Sequence, residues 1–159
     1  MPTVIRKAFA YITNGHRLLV FSHPDSPSAG IQVPAGTMLP GELPEDAVLR
    51  EAYEETGLAD LTIADLLGEQ IRDLGDFGRD EIHHRFFFHL RCPGEPPATW
   101  RHGEFDPSDG SAPGIVFEFF WAALLYGVPD LIADHGKFVP QLLERLALED
   151  ESALPPCGH

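Results

Sequence analysis

The sequence predicts a single α/β domain with a sheet-rich middle, and three features of the chain support this class. The chain has 159 residues, of which 43% are hydrophobic, and this length suits one ordinary domain with a sizeable core. Two strand-like segments flank Asn14-Gly15, a dipeptide typical of a tight hairpin turn. Residues Pro44 to Thr56 have helical periodicity, and Gly57 marks a clear end. We therefore expect strands packed against at least one amphipathic helix.

The elements expected along the chain alternate between strand, helix and loop. Strands are predicted at residues 7–13, 17–21, 31–33, 61–72, 82–90 and 115–125, and helices at about 44–56 and 137–148. The segment 93–114 is rich in proline and glycine, which predicts a long surface loop or lid. The polar residues 149–159 predict a disordered tail. The domain is therefore expected to cover residues 1–148.

Charge and apolar patterning exclude several classes of protein. The formal net charge is −14, with only 11 Lys and Arg, and such a surface repels a nucleic-acid backbone. No apolar run approaches the roughly 18 residues that cross a bilayer, so no membrane span is expected. Met1 to Lys7 lead directly into a strand pattern without the features of a secretory signal, which predicts a cytoplasmic protein. Cys92 and Cys157 are far apart and are expected to be free thiols.

The predicted helix carries a concentrated acidic face. At about 100° per residue, Glu51, Glu54 and Glu55 share one face, while Val48 and Ala52 lie on another. The three carboxylates repel one another, so a positive group is expected among them. Carboxylate oxygens suit Mg²⁺ or Mn²⁺. For three glutamates alone, a solvated surface is the competing explanation.

The sequence around this helix resembles the Nudix box. From Gly36 to Leu58 the chain reads GTMLPGELPEDAVLREAYEETGL. The matching positions are Gly36, Glu42, Arg50, Glu51, Glu54, Glu55, Gly57 and Leu58. Ala52 fills a position where a larger aliphatic residue is usual. Because many fixed positions coincide on a predicted loop and helix, the resemblance indicates a Nudix (MutT-like) hydrolase.

The resemblance implies a fold, a reaction and a metal site. The implied fold is an α/β/α sandwich with a mixed sheet and a loop–helix–loop catalytic unit. The implied reaction is metal-dependent hydrolysis of a phosphoanhydride bond, in a small nucleoside diphosphate linked to another moiety. The implied ligands of Mg²⁺ or Mn²⁺ are Glu51, Glu54, Glu55 and the backbone carbonyl of Ala35. Bound cations neutralise developing charge and activate a water.

Other roles in the box follow from the same resemblance. Glu42 and Arg50 are expected to form an ion pair that orients the acidic face of the helix. Either Glu54 or Glu51 is expected to accept the proton of the attacking water, and the sequence does not decide between them. Gly36 and Gly57 are motif glycines at the two ends of the unit. The oligomeric state is open, and a homodimer is one arrangement that the sequence allows.

Outside the box, the candidate residues lie on two predicted strands and in the long predicted loop. Glu118 interrupts the apolar run 115–121, where a charge is costly unless it binds a metal or pairs with a residue such as Arg85. By strand alternation, His83, Arg85 and His89 share the face opposite the expected core face, where they would contact substrate. A structural or solvated role is the alternative for all three. Trp100, Arg101 and His102 are further candidates for clamping a base, with a surface role as the alternative.

Two other functions compete with catalysis. One is a Nudix-fold nucleotide-binding or sensing domain that does not cleave its ligand. Retention of the mutually repelling box glutamates favours the enzyme, because a binding module has no need for them. The other is an acidic interaction module built on the aromatic segment Phe117 to Trp121, which would require exposed rings. The substrate is open among nucleoside triphosphates, nucleotide sugars, dinucleoside polyphosphates and a capped RNA 5′ end, the last disfavoured by the net charge.

Overall fold

A computed structural model describes residues 2–104, 115–125 and 127–153. Its strands are β1 (Thr3–Asn14), β2 (Arg17–Ser22), β3 (Ala35–Thr37), β4 (Thr62–Asp73), β5 (Glu81–Arg91), β6 (Thr99–Glu104) and β7 (Ile115–Ala123). Its helices are α1 (Pro44–Thr56) and α2 (Val139–Ala153). In the described ranges, no helix is long and apolar enough to cross a membrane.

The strands form one mixed sheet in the order β4-β5-β1-β2-β7-β6, with β3 paired to β1. Strands β1 and β5 run parallel along their length, and the other pairs are antiparallel. The β1–β2 hairpin turns at Asn14-Gly15, as predicted, with a positive φ of 64° at Gly15. Strands β1 and β5 are therefore interior strands, and residues on them lie deep in the sheet.

Helices cover both faces of the sheet. Ala47, Val48 and Ala52 of α1 belong to a buried cluster with residues of β1 and β5 such as Ala10 and Phe88. On the opposite face, α2 packs onto the aromatic side chains of the same two strands; the buried residues there include Phe9, Tyr11, Phe87, Leu142 and Leu146. This is the α/β/α sandwich that the resemblance implied.

Several segments differ from the sequence prediction. Residues Thr99–Glu104 form a strand inside the predicted loop, because they pair with β7 and the Trp100 ring stacks on Phe119. The remainder of that loop, 105–114, lies outside the described residues. Helix α2 continues to Ala153, so the expectation of a disordered tail from residue 149 was wrong for its first residues, and 154–159 lie outside the described residues.

The predicted strand 31–33 was also misplaced. In the structure, Ile31 and Gln32 make only isolated bridges, and β3 begins after Pro34, at Ala35. Pro34 has no backbone N–H to contribute to a ladder, so it separates the two pairing segments. The displacement matters for the site, because β3 is the strand that lies beside α1.

Truncating Leu142 in α2 tests the packing on the second face of the sheet. Leu142 is fully buried, whereas Leu148 on the same helix is 56% exposed. We expect Leu142→Ala to lower the free energy of unfolding by about 2–5 kcal/mol. Leu148→Ala should change it by less than about 0.5 kcal/mol. Urea denaturation of both variants would measure the difference, and equal losses would contradict the docking of α2.

Candidate active site

Helix α1 displays its acidic residues because its apolar residues are confined to the side that packs on the sheet. Ala47, Val48 and Ala52 are buried, whereas Glu54 is exposed. The helix begins at Pro44 without a side-chain cap, which agrees with the absence of a capping residue before it. It ends at Gly57, which adopts the left-handed conformation with φ of 76°. The helix bounds predicted from the sequence are confirmed.

Arg50 is the cation at the centre of the acidic face. Its Nε and Nη2 donate to the two carboxylate oxygens of Glu42 at 2.9 and 2.8 Å, which is a bidentate ion pair. Its Nη1 donates to Glu51 at 2.7 Å and to Glu54 at 3.3 Å. The hydrogen bonds from Arg50 lower the pKa of Glu42 to about 2, and the Leu39 N–H adds a further bond. The structure therefore contains the expected Glu42–Arg50 pair.

Strand β3 brings the backbone close to the other two glutamates. A Cβ atom at Gly36 would lie 2.0 Å from the carboxylate of Glu51, so only glycine leaves room for this side chain. The backbone N–H of Ala35 donates to Oε2 of Glu55 at 2.8 Å. Because β3 pairs with β1 through Ala35 to Thr37, the glutamates rest on a strand that the sheet holds in place.

The residues of this face fit a hard divalent cation by their chemistry. Glu51, Glu54 and Glu55 supply carboxylate oxygens, the donors that Mg²⁺ and Mn²⁺ prefer. Within residues 2–104, 115–125 and 127–153, however, no three acidic, His or Cys side chains form a ready-made metal cage. Glu51 and Glu54 both turn toward Arg50. A cation would therefore bind by drawing these carboxylates away from Arg50, while Glu42 keeps its bidentate hold on the guanidinium.

Glu118 lies away from this cluster. It pairs with Arg101 on β6, at 3.9 Å between Oε1 and Nε, rather than with Arg85. Its neighbours Phe117 and Phe119 belong to the core beneath α1, so strand alternation turns Glu118 toward the opposite face of the sheet. The expectation that Glu118 ligates a metal with the α1 glutamates gains no support from this position.

The expected polar face of β5 is buried. His83, Arg85 and His89 are 3%, 2% and 1% exposed, because β5 lies between β1 and β4 and both faces of the sheet are covered by helices. His89 contacts Thr13 at 2.8 Å, and burial lowers the pKa of His89 to about 4. It lies about 20 Å along the strand from His83. The structure does not bring His89 together with the other two.

His83 and Arg85 line a cavity of about 390 Å³ on the α2 side of the sheet. Lys7 of β1 lies beside Arg85 in the parallel register and lines the same cavity. Its charge interacts with Glu55 and Glu51, although burial has the larger effect and lowers the pKa of Lys7. His135, from the segment before α2, completes one wall. The sequence analysis did not identify Lys7 or His135, because neither belongs to a recognisable local pattern.

Trp100, Arg101 and His102 were considered for clamping a base. The structure shows that two of them, Trp100 and Arg101, make contacts within the protein. The indole Nε1–H of Trp100 donates to the carbonyl of Thr56 at the end of α1, at 3.0 Å, while its ring stacks on Phe119. Arg101 pairs with Glu118. Trp100 therefore anchors the C-terminal end of the acidic helix to the sheet.

Comparison with known proteins shows the family to which the chain is similar. A family model described as "NUDIX domain" matches residues 4–141. A comparison with curated proteins finds no match.

Solved structures of similar fold include several hydrolases. A UDP-X diphosphatase has a TM-score of 0.64 and 14% identity, over 91% of this chain and 65% of that chain. A bifunctional NMN adenylyltransferase/ADP ribose pyrophosphatase from Francisella tularensis, complexed with AMP and Mn ion, has a TM-score of 0.58 and 18% identity, over 92% and 43%. A MutT NUDIX hydrolase from Burkholderia pseudomallei has a TM-score of 0.59 and 21% identity, over 88% and 98%. The chain thus spans less than two thirds of the length of the first two.

The Glu42–Arg50 pair predicts a pH-dependent contribution to stability. The pKa of Glu42 falls from its ordinary value of 4.5 to about 2 in the folded protein, so the pair stabilises the fold above pH 4.5 and loses this contribution as the pH falls toward 2. We expect Glu42→Gln to be less stable than the wild type at neutral pH, with the difference disappearing near pH 2. Chemical denaturation across pH 2–7 would measure this.

The matched control is Glu45→Gln, which removes one carboxylate from an exposed position of the same helix. We expect its free energy of unfolding to follow that of the wild type over the whole pH range. A difference between Glu42→Gln and wild type that stays constant with pH would show that the ion pair is not its source.

Proposed function

The chain belongs to the Nudix family of hydrolases, and from this premise we propose that it cleaves the phosphoanhydride bond of a nucleoside diphosphate derivative in a reaction that depends on a divalent cation. The observation that carries the proposal is the acidic face of α1, where Glu51 and Glu54 bond to Arg50 and Glu55 bonds to the backbone N–H of Ala35. A solvated acidic surface does not need a fourth carboxylate, that of Glu42, to fix Arg50. It also does not need a glycine, Gly36, where Glu51 approaches the backbone.

Glu51, Glu54 and Glu55 would hold the cation, which we take to be Mg²⁺ or Mn²⁺, with the carbonyl of Ala35 as a further ligand. The cation would neutralise the charge of the diphosphate and lower the pKa of a bound water. The Francisella tularensis structure of similar fold also contains a Mn ion. The proposed cation also explains how a protein of net charge −14 can bind a polyanion, since bound divalent cations reverse the local field.

Glu54 is the best placed of the helix glutamates to accept the proton of the attacking water. Its side chain is 57% exposed, whereas that of Glu51 is 17% exposed and bonded to Arg50 at 2.7 Å. In the reaction, the water oxygen bonds to phosphorus, its proton moves to the carboxylate, and the bond from phosphorus to the bridging oxygen breaks. Arg50 and Glu42 act by orienting the acidic face rather than by touching the substrate.

The charge of the chain and the similar structures support a substrate class. The net charge of −14 disfavours nucleic acid, and the similar structures include enzymes named for UDP-X and ADP ribose. We therefore propose a small nucleoside diphosphate linked to another moiety. A cytoplasmic location and a homodimeric assembly stay predictions from the sequence.

Replacing Glu54 tests the enzyme directly. With Mg²⁺ or Mn²⁺ and a panel of nucleotide sugars, ADP-ribose and nucleoside triphosphates, we expect the wild type to release a nucleoside monophosphate or pyrophosphate. Glu54→Gln should lower kcat by at least about 10²-fold, because it removes the proton acceptor and a metal ligand. Chelation of the cation should abolish turnover by both proteins.

The control for this measurement is Glu45→Gln, which makes the same substitution one helix turn or more from the acidic face. This variant should keep the wild-type rate. Thermal stabilisation of the wild type by a nucleotide, with no turnover of any compound, would instead support the binding or sensing domain. Turnover that survives chelation would contradict the proposed role of the cation.

Gly36→Ala tests the close approach of β3 to the helix. The new Cβ would occupy the position of the Glu51 carboxylate, so Glu51 must move. We expect a fall in kcat of about 10²-fold, the size of effect that displacement by about 1 Å produces at a catalytic group. Steady-state kinetics would measure it, and a wild-type rate would show that the placement of Glu51 against β3 is not required.

A further inference from the structure

The cavity on the α2 side of the sheet concentrates positive charge in an otherwise acidic protein. Lys7, Arg79 and Arg85 line it together with His83, although the whole chain has only 11 Lys and Arg. Its volume of about 390 Å³ is within the range of small-molecule sites. Arg79 is paired with Glu81. Lys7 and Arg85 have no carboxylate at ion-pairing distance among the residues that the structure describes.

Arg85 is a buried guanidinium with unused donor capacity. It is 2% exposed, its Nη1 donates to the carbonyl of Ala133, and its plane lies 4.9 Å from the centre of the Phe9 ring. Its Nε has no hydrogen-bond partner in the described structure, and neither has Nδ1 of the adjacent His83. Burial lowers the pKa of Arg85 only to about 10, so the group is charged at neutral pH. A buried charge of this kind is a strong site for an anion.

Strand β1, which carries Lys7, lies between Arg85 and the carboxylates of α1. In register, Arg85 of β5 is opposite Lys7 of β1, which is opposite Thr37 of β3. Glu51 and Glu55 contact β3 beside Thr37. Two strand spacings, about 10 Å, therefore lie between β5, which carries Arg85, and β3, which Glu51 and Glu55 of α1 contact. This is more than the separation of the two phosphates of one diphosphate.

A strained segment closes the cavity over Arg85. Ala133 and Asp134 are consecutive non-glycine residues with positive φ angles of 52° and 63°, a conformation that such residues rarely adopt. Asp134 is held by Arg72 at 3.2 Å, and this conformation aims the Ala133 carbonyl at Arg85. Strain of this kind collects at ligand sites, where the surrounding structure enforces it.

We propose that this cavity binds a phosphate monoester that the substrate carries in addition to the diphosphate that is cleaved. The inference rests on the proposed function and narrows its substrate class to phosphorylated nucleotide derivatives. A phosphate monoester has close to two negative charges, which match the unpaired charges of Lys7 and Arg85. The apolar walls, from Phe9, Leu74 and Phe77, suit the sugar or base ring that bears this phosphate.

Substrates that differ by a single phosphate test the proposal. Suitable pairs are ADP-ribose with its 2′-phosphate, and dephospho-coenzyme A with coenzyme A. We expect kcat/KM to be at least about tenfold higher for the phosphorylated member of at least one pair, the factor that about 1.4 kcal/mol produces. In Lys7→Gln and Arg85→Gln, this preference should fall toward one. Arg145→Gln, which removes an arginine paired with Asp65 on the surface, should retain it.

Binding of products provides a readout that does not need turnover. Calorimetry should show tighter binding of 2′,5′-ADP or 3′,5′-ADP than of 5′-AMP by the wild type, and loss of this difference in Lys7→Gln. Because Lys7 is only half-buried, this variant serves even where Arg85→Gln does not fold.

Each outcome separates the inference from the function on which it rests. Turnover without any preference within the pairs, and equal binding of the mono- and bisphosphates, would overturn the inference while leaving the hydrolase intact. Equal losses on both members of a pair in the variants would show that Lys7 and Arg85 serve the cleaved diphosphate instead. No turnover with any compound, beside tighter binding of the bisphosphates, would refute the hydrolase and keep the phosphate site.

Discussion

The acidic face of α1 depends on one arginine that bonds to three carboxylates, those of Glu42, Glu51 and Glu54. Without a cation, Glu51, Glu54 and Glu55 would repel one another across one turn of α1 and destabilise the helix. Arg50 removes this repulsion, and Glu42 fixes the orientation of Arg50 by a bidentate contact at 2.9 and 2.8 Å. The acidic face can thus remain ordered whether or not a second cation is present. Removing Arg50 would affect every other member of the cluster.

This balance also explains why the carboxylates do not form a closed metal cage on their own. Arg50 bonds to Glu42 through two contacts and to Glu51 at 2.7 Å, but to Glu54 only at 3.3 Å, so Glu54 is the carboxylate that it holds least firmly. A divalent cation can compete for Glu51 and Glu54 without displacing the guanidinium from Glu42. Before the cation binds, Arg50 would supply the positive charge that keeps the glutamates on one side of the helix.

The parts of the fold that could be predicted from sequence are those that local chemistry determines. The bounds of α1 follow from Pro44 and Gly57, and the β1–β2 hairpin follows from Asn14-Gly15. The acidic face follows from helical periodicity, and the Glu42–Arg50 pair followed from the resemblance to a known motif. In each case the relevant residues are close along the chain, so a pattern of spacing contains the information.

The parts that could not be predicted depend on contacts between distant segments. Alternation on β5 indicated two faces, but only the packing of α2 shows that His83, Arg85 and His89 are buried. The many prolines and glycines between residues 93 and 114 predicted a loop instead of β6. This strand forms because it pairs with β7. No sequence pattern links Lys7 to the segment before α2, which reaches the cavity only through the fold.

The separation of charges across the sheet suits the proposed polyanionic substrate. Lys7 lies beside β3, near enough to Glu55 and Glu51 for their charges to act on its pKa. Its side chain is nevertheless on the other face of the sheet from α1. The proposed substrate would pass the short strand β3, which pairs with β1 alone among the described strands, to meet the α1 glutamates at its diphosphate and the positive charges of Lys7 and Arg85 at its further phosphate. The alternation of side chains on β1, with Ala8 toward α1 and Lys7 toward the cavity, is what makes the two opposite sites compatible within one small domain.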